Sequence, residues 1–460
     1  MFIGRERELK KMNEMYNNGN FECVIIYGRR RVGKTTLIQE FIKDKKAIYF
    51  LSLETSERVN LENFSRGILT MATGIDHSAS FVNFSVAFDT VANLAENERI
   101  VLVIDEYPYL ANSVQGISSI IQAQIDMRLK DSKLFLILCG SSMSFMENQV
   151  LGYQSPLYGR RTAQFKIEPF SFFESMRFHK NYSAYDNAVI YGVTGGIPQY
   201  LARIDDKKTL KDNIIDNFFE PSAYLYEEPS NLLKQELREP QTYNEIITAI
   251  ATGSSRLNEI STKTSLETAV CSKYLTSLIS LGIVKKERPI FESKSKRTIY
   301  RLQDNMFRFW YRFVPQNAAQ IHSGVGERIY SDIERHIPHY MGEVFEEICL
   351  QYMWRENKAN RLPFFFRDAG RWWGNNPIKK SEQEIDIIAY GDTQAIFCEC
   401  KWSNALIDVD ILDGLIEKSR LFNYKKTWFY IFAKTGFTEK LIKETENSGN
   451  VKLISFENMV

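Results

Sequence analysis

The chain lacks most of the features that would tie a protein to a compartment or a surface. Its six cysteines are scattered at 23, 139, 271, 349, 398 and 400, with no C-x-x-C pair and no Cys/His spacing of a zinc site. That excludes a disulfide scaffold and a structural zinc, and predicts a reducing, cytoplasmic compartment. Long apolar runs are missing too, since "IVLVI" covers only about a quarter of a membrane span. The start, "MFIGRERELKK", is charged at once and has no apolar h-region, so no secretory signal is expected. Nor is there an excess of either charge. Fifty-eight Lys and Arg face 57 Asp and Glu, a net charge of +1, so any binding to nucleic acid must be local. No repeat of fixed period and no low-complexity segment appears. What remains is a globular composition, 44% hydrophobic and 25% charged, over 460 residues, enough for roughly two to four domains.

What is present begins with "FECVIIYGRRRVGKTTLIQEFI", residues 21–42. An apolar, β-branched run predicts a strand, and the spacing of Leu37, Ile38 and Phe41 predicts a helix. Between them lie Gly28, Arg29, Arg30, Arg31, Val32, Gly33, Lys34 and Thr35, followed by Thr36. This is G-x-x-x-x-G-K-[ST] in the context it requires. The glycines let successive backbone N–H groups turn toward phosphates, and the helix N-terminus adds positive potential. Lys34 is expected to reach the β and γ phosphates, and Thr35 to place its hydroxyl on Mg²⁺. A second strand, "RIVLVIDEYPYL" (99–110), ends in Asp105, expected to hold the magnesium shell, and Glu106, expected to orient the attacking water. Further strands are predicted in "KAIYFLSL", "KLFLILCG" and "AQFKIEPF", with helices alternating. That pattern implies an α/β fold whose parallel sheet binds its ligand at the strand C-termini. No Asn-Lys-x-Asp sequence is present to read guanine, which favours ATP.

These pieces, with "FIGRERELKKM", "LFLILCGSSMSFM", "PLYGRRTAQFKIEPFSFFE" and "YGVTGGIPQYL", resemble the archaeal-type P-loop ATPases of the STAND/AAA-related group. The resemblance runs over residues 1–203. It implies an ATPase domain over 1–175 and a helical lid over 176–231. It also implies that "FIGRERE" closes over the adenine side, a sensor role for Ser141 or Ser142, and a phosphate-sensing arginine at Arg160 or Arg161. Relatives of this kind often assemble, so a homo-oligomer with Arg160 acting across subunits is one expectation.

Residues 232–314 read as three short amphipathic helices and a ribbon, the order of a winged helix-turn-helix. The third helix is expected to bury Val270, Tyr274, Leu278 and Leu281. Between 256 and 301 ten basic residues face four acidic ones, and Lys285, Lys286, Arg288, Lys294, Lys296 and Arg297 crowd the wing. Phosphate-backbone contact with DNA is one reading. A purely structural role between domains is the other, because the third helix offers no Arg, Asn or Gln for bidentate base contact.

The back of the chain, 330–460, carries "EIDIIAYGDTQAIFCECKW" (384–402). Alternation puts Glu399 and Lys401 on one face, with Glu384, Asp386 and Ile388 sharing a face of the partner strand. A two-residue turn sets Asp386 opposite Phe397, and a four-residue turn sets it opposite Glu399. Either way the two acids project from one side, a pairing that favours a divalent cation with oxygen ligands, Mg²⁺ or Mn²⁺. Upstream, "HYMGEVFEEICLQYM" turns Glu346 toward the domain body and leaves Glu343, Glu347 and Gln351 on the polar side. Glu346, Asp386 and Glu399-x-Lys401 then resemble the PD-(D/E)XK nuclease superfamily. This implies a restriction-endonuclease-like α/β domain with metal at Glu346, Asp386 and Glu399, and catalysis by Asp386, Glu399 and Lys401. The expected function is an ATPase coupled to a metal-dependent nuclease acting on DNA. The alternative is a STAND-like switch or DNA-binding regulator with an inactive back domain.

Overall fold

The computed structural model describes residues 2–76, 78–292, 297–376 and 380–460. They form two compact units, one of residues 1–170 with 197–199, the other of 171–196 with 200–460. No helix among the described residues is long and apolar enough to cross a membrane.

The first unit is built on five parallel strands: β1 (Glu22–Tyr27), β2 (Ala47–Leu51), β3 (Ile100–Asp105), β4 (Leu134–Gly140) and β5 (Ala163–Lys166). They are ordered β2-β3-β4-β1-β5. Every residue of β1, β3 and β4 is buried, as expected for strands covered on both faces. The covering helices are α1 (Glu6–Asn17), α2 (Lys34–Ile42), α3 (Glu57–Thr73), α4 (Phe84–Asn97), α5 (Tyr107–Ser113) and α6 (Ile117–Met127). On one face Ile25, Ile48, Phe50 and Leu136 meet Phe64, Phe88 and Ile121 in a single apolar cluster. Because all strands run the same way, their C-terminal ends share one edge. Leu51 pairs with Asp105 and Tyr27 with Gly140, so the loops after β1, β3 and β4 emerge together.

The second unit holds helices, a two-stranded ribbon and a mixed sheet ordered β12-β11-β10-β9-β8. Its strands are β8 (Asp368–Asn376), β9 (Ser381–Tyr390), β10 (Gln394–Lys401), β11 (Lys426–Ala433) and β12 (Val451–Ser455). On β11 Ile431 joins Leu415 of the helix Val409–Ser419, while its neighbour Phe432 meets Tyr352 of the long helix Ile337–Lys358. Successive residues thus serve opposite faces.

The helices Pro240–Ala251, Leu257–Lys263 and Thr268–Ser280 precede the ribbon, β6 (Val284–Glu287) and β7 (Ile299–Leu302). In the third helix the buried face is Cys271, Leu275 and Leu278, continued by Leu281. Val270 and Tyr274 are half-buried, which corrects the expectation by one residue of rotation. Tyr274 sits at the rim, its ring edge-on to Tyr243 and its hydroxyl on Glu239.

The residues that follow β6 pack against the sheet of the same unit. Ile290, beyond β6, enters the apolar cluster of Trp372, Ile385 and Phe397, and its N–H donates to the Arg371 carbonyl at 3.0 Å. Phe291, at φ 78°, packs edge-on to Tyr390 with ring centres 4.5 Å apart. The ribbon's basic residues are largely engaged within the unit. Lys285 pairs with Glu287, Arg297 with Glu292, and Arg301 with Glu287 and Glu343. Lys294 and Lys296 lie outside the described residues.

Candidate functional site

The loop leaving β1 turns through three positions of positive φ, Gly28 at 158°, Arg31 at 73° and Gly33 at 88°. Gly28 is required by space, since a Cβ there would lie 2.4 Å from the Ile167 carbonyl oxygen. At Gly33, which caps α2, the backbone conformation makes the demand, because a Cβ would meet nothing closer than Pro198 at 3.6 Å. Val32 is fully buried and anchors the loop. Its carbonyl accepts from Arg5 at 3.1 Å, and Arg5 also lies over the Phe170 ring. Inside the turn Lys34 Nζ donates to the carbonyls of Gly28 and Arg29 at 2.8 and 3.0 Å. Arg29 is buried, and Arg30 donates to the Tyr109 hydroxyl at 3.1 Å. Thr35 and Thr36 open the first turn of α2 with their side chains exposed.

Across the edge stands Asp105, buried at the end of β3. Its Oδ2 accepts from Thr35 Oγ1 at 3.0 Å and from the Tyr49 hydroxyl at 2.5 Å, and its Oδ1 from the Glu106 N–H at 2.9 Å. Glu106 sits in the left-handed region, φ 51°, and starts α5. Its Oε2 accepts from Ser141 twice, from Oγ at 2.9 Å and from N–H at 3.3 Å. Such a donor set fits a magnesium nucleotide: loop amides and Lys34 for phosphate oxygens, Thr35 and Asp105 for a hard cation. The structure thus brings together Gly28 to Thr35, Asp105 and Glu106.

Arg160 is engaged with α6. Both its Nε and Nη2 donate to Asp126 of α6, at 3.2 and 2.9 Å, and Arg161 donates to the Leu151 carbonyl.

In the second unit the hairpin pairs Phe397 with Ile388 and Cys398 with Ile387, the register that sets Asp386 opposite Glu399. Strict alternation fails at Asp386, however. Gly370 pairs with Ile388 but Trp372 pairs with Ile385, so β9 carries one extra residue against β8. Ile385 and Ile388 consequently enter the same cluster, and the expectation that Glu384, Asp386 and Ile388 share a face is corrected. Asp386 Oδ2 accepts from the Cys400 N–H at 2.7 Å. Glu399 is clamped by two lysines, Oε1 on Lys401 at 2.7 Å and Oε2 on Lys418 at 3.0 Å. Burial first, then the charge of Glu399, pushes the Asp386 carboxyl up to about 6. Burial and the charge of Asp386 push Glu346 up to about 7. Among the described residues no three His, Cys, Asp or Glu lie close enough to hold a metal ion. Glu346 and Asp386 line a cleft of about 620 Å³ whose walls include Lys286, Arg288, Arg301 and Arg371.

Two partners have no counterpart in the sequence pattern. Tyr49 sits on an edge strand far along the chain from Asp105, and Lys418 comes from a later helix; neither has a local signal. The polar side of the helix Ile337–Lys358 is engaged by partners within the unit even where, as at Glu343, it stays exposed. Glu343 pairs with Arg301 and Arg308, and Glu347 accepts from the Tyr191 hydroxyl.

Comparison with known proteins matches residues 2–204 to the family described as "ATPase domain predominantly from Archaea". Residues 310–412 match one described as "Archaea bacterial proteins of unknown function". "Uncharacterized protein MJECL04" of Methanocaldococcus jannaschii is 34% identical over 427 residues, 92% of this chain and 92% of its own length. "Uncharacterized ATP-binding protein MJ0423" of the same organism is 46% identical over 46 residues, 10% of this chain and 78% of its own. The Walker-type ATPase PABY2304 of Pyrococcus abyssi has a TM-score of 0.52 at 18% identity, covering 68% of this chain and 96% of that one, a likeness of fold. With identity sustained along nearly its whole length, the chain belongs to the same family as MJECL04, and its front is an archaeal-type ATPase domain.

Proposed function

We propose that the chain hydrolyses ATP at the edge of its front sheet and uses nucleotide state to switch a DNA-directed back domain. The carrying observation is the joint made by Thr35 and Asp105, with Glu106 alongside and held by Ser141. Lys34 and the loop amides would draw in the phosphate oxygens, and Thr35 and Asp105 would hold magnesium, which would supply charge neutralisation there. Glu106 keeps its other carboxylate oxygen for orienting water. Phosphate release from ATP, measured with and without Mg²⁺, tests this. Lys34→Ala should lower turnover by about 10²-fold or more. A wild-type protein without magnesium-dependent release would overturn the proposal.

The Glu346–Asp386 pair favours a second reading, metal-dependent phosphodiester cleavage by Glu346, Asp386, Glu399 and Lys401. A buried carboxyl, Asp386, and a half-buried one, Glu346, both held above their ordinary range, are groups that a divalent cation would return to the charged form. Against it stands Glu399, which would have to leave Lys418 to serve a metal. Cutting of DNA with Mg²⁺ or Mn²⁺, lost in Asp386→Ala and Lys401→Ala, would support it. No cutting under either metal leaves the switch.

A further inference from the structure

Asp105 is held by more than the Thr35 hydroxyl, and the extra donor comes from a strand that carries no part of the nucleotide motif. Tyr49 lies on β2 opposite Val103, two residues before the Leu51–Asp105 pair. Its neighbours Ile48 and Phe50 face the apolar cluster, with Phe50 against Phe64. Tyr49 therefore projects from the other face, the one that carries Asp105, and its hydroxyl donates to Asp105 Oδ2 at 2.5 Å.

The acceptor accounting gives this contact a role. A carboxylate has about four lone-pair sites, two on each oxygen. Tyr49 and Thr35 both donate to Oδ2 and fill it, while Oδ1 takes the Glu106 N–H and has capacity to spare. The Cys139 thiol, buried beside the same carboxylate, is a weak donor and no rival to a metal-bound water. Without the tyrosine hydroxyl, Oδ2 would regain an empty site and the carboxylate could turn about its own axis. We infer that Tyr49 is a positioning residue for magnesium: it locks the Asp105 carboxylate in the orientation that receives the cation's water shell. It touches neither nucleotide nor metal and acts through Asp105, as outer partners of metal ligands do. The inference rests on the reading of Asp105 as the magnesium-holding carboxylate.

The test is binding rather than turnover. ADP is titrated calorimetrically into the full chain in Mg²⁺ and again in EDTA, and the ratio of the two affinities gives the magnesium gain. Tyr49→Phe keeps the ring and removes only the donor. It should lower that gain about tenfold, with affinity in EDTA unchanged. In an Asp105→Asn background, Tyr49→Phe should cost nothing more, because its effect runs through the carboxylate. An undiminished or enlarged gain in Tyr49→Phe, or a full additional loss in the Asp105→Asn background, would overturn the inference. A wild-type protein with no magnesium gain would overturn both this inference and the reading of Asp105. A wild-type gain that Tyr49→Phe leaves intact overturns the inference alone.

Discussion

A Cβ at Gly28 would press on the Ile167 carbonyl, backbone against backbone, with no flexible side chain to yield. Gly28→Ala should therefore cost about 1–3 kcal/mol and weaken ADP binding together with it. A thermal melt with and without ADP checks both effects. Glu346 is a residue whose charge state matters instead. Its carboxyl is raised to about 7 by burial and by Asp386. Between the usual carboxylate range and 7 the folded protein holds a proton that the unfolded chain has released. Its contribution to stability is thus greatest at low pH and is lost as pH rises through 7. Glu346→Gln should flatten that slope and stabilise the protein at pH 8 by about 1 kcal/mol, in EDTA. Equal slopes for wild type and variant between pH 5 and 8 would refute it. The nucleotide site was legible at this scale because consecutive residues supply its chemistry, Gly28 through Thr35 and the pair Asp105–Glu106. Tyr49 and Lys418 were not, because proximity made only by strand order or helix packing leaves no mark in local spacing.

Elements carry a different lesson in the ribbon. The charge of 285–297 left phosphate contact and a structural role both open, and Ile290 and Phe291 pack on the β8–β9 side of the sheet. Two apolar residues at a hairpin tip were the available signal, outweighed by six basic neighbours. Docking also covers β8, the edge strand, whose Arg371 carbonyl would otherwise be open to pairing. Ile290→Ala should cost about 2 kcal/mol and raise hydrogen exchange in 288–292 and in β8. Unchanged exchange there would mean that the contact stabilises nothing. The hairpin itself was half legible. Its two acids were placed as cross-strand neighbours, but period-two counting cannot foresee the extra residue near Asp386 that puts Ile385 and Ile388 on one face.

For the whole molecule, the ATPase sheet and the back sheet lie in two separate compact units. Identity with MJECL04 over 92% of both chains shows that this pairing of units is shared within the family. The ATPase fold followed from alternating strands and helices with one strong motif. In the back domain the surroundings of Glu399 depend on long-range partners, and it is held between two lysines. Glu106→Gln separates the front site's two roles, because it removes the charge that orients water and leaves Lys34, Thr35 and Asp105 to bind. Measured as phosphate release beside ATP binding in Mg²⁺, the variant should bind ATP as the wild type does and turn over about 10²-fold more slowly. Wild-type turnover in Glu106→Gln would contradict the account.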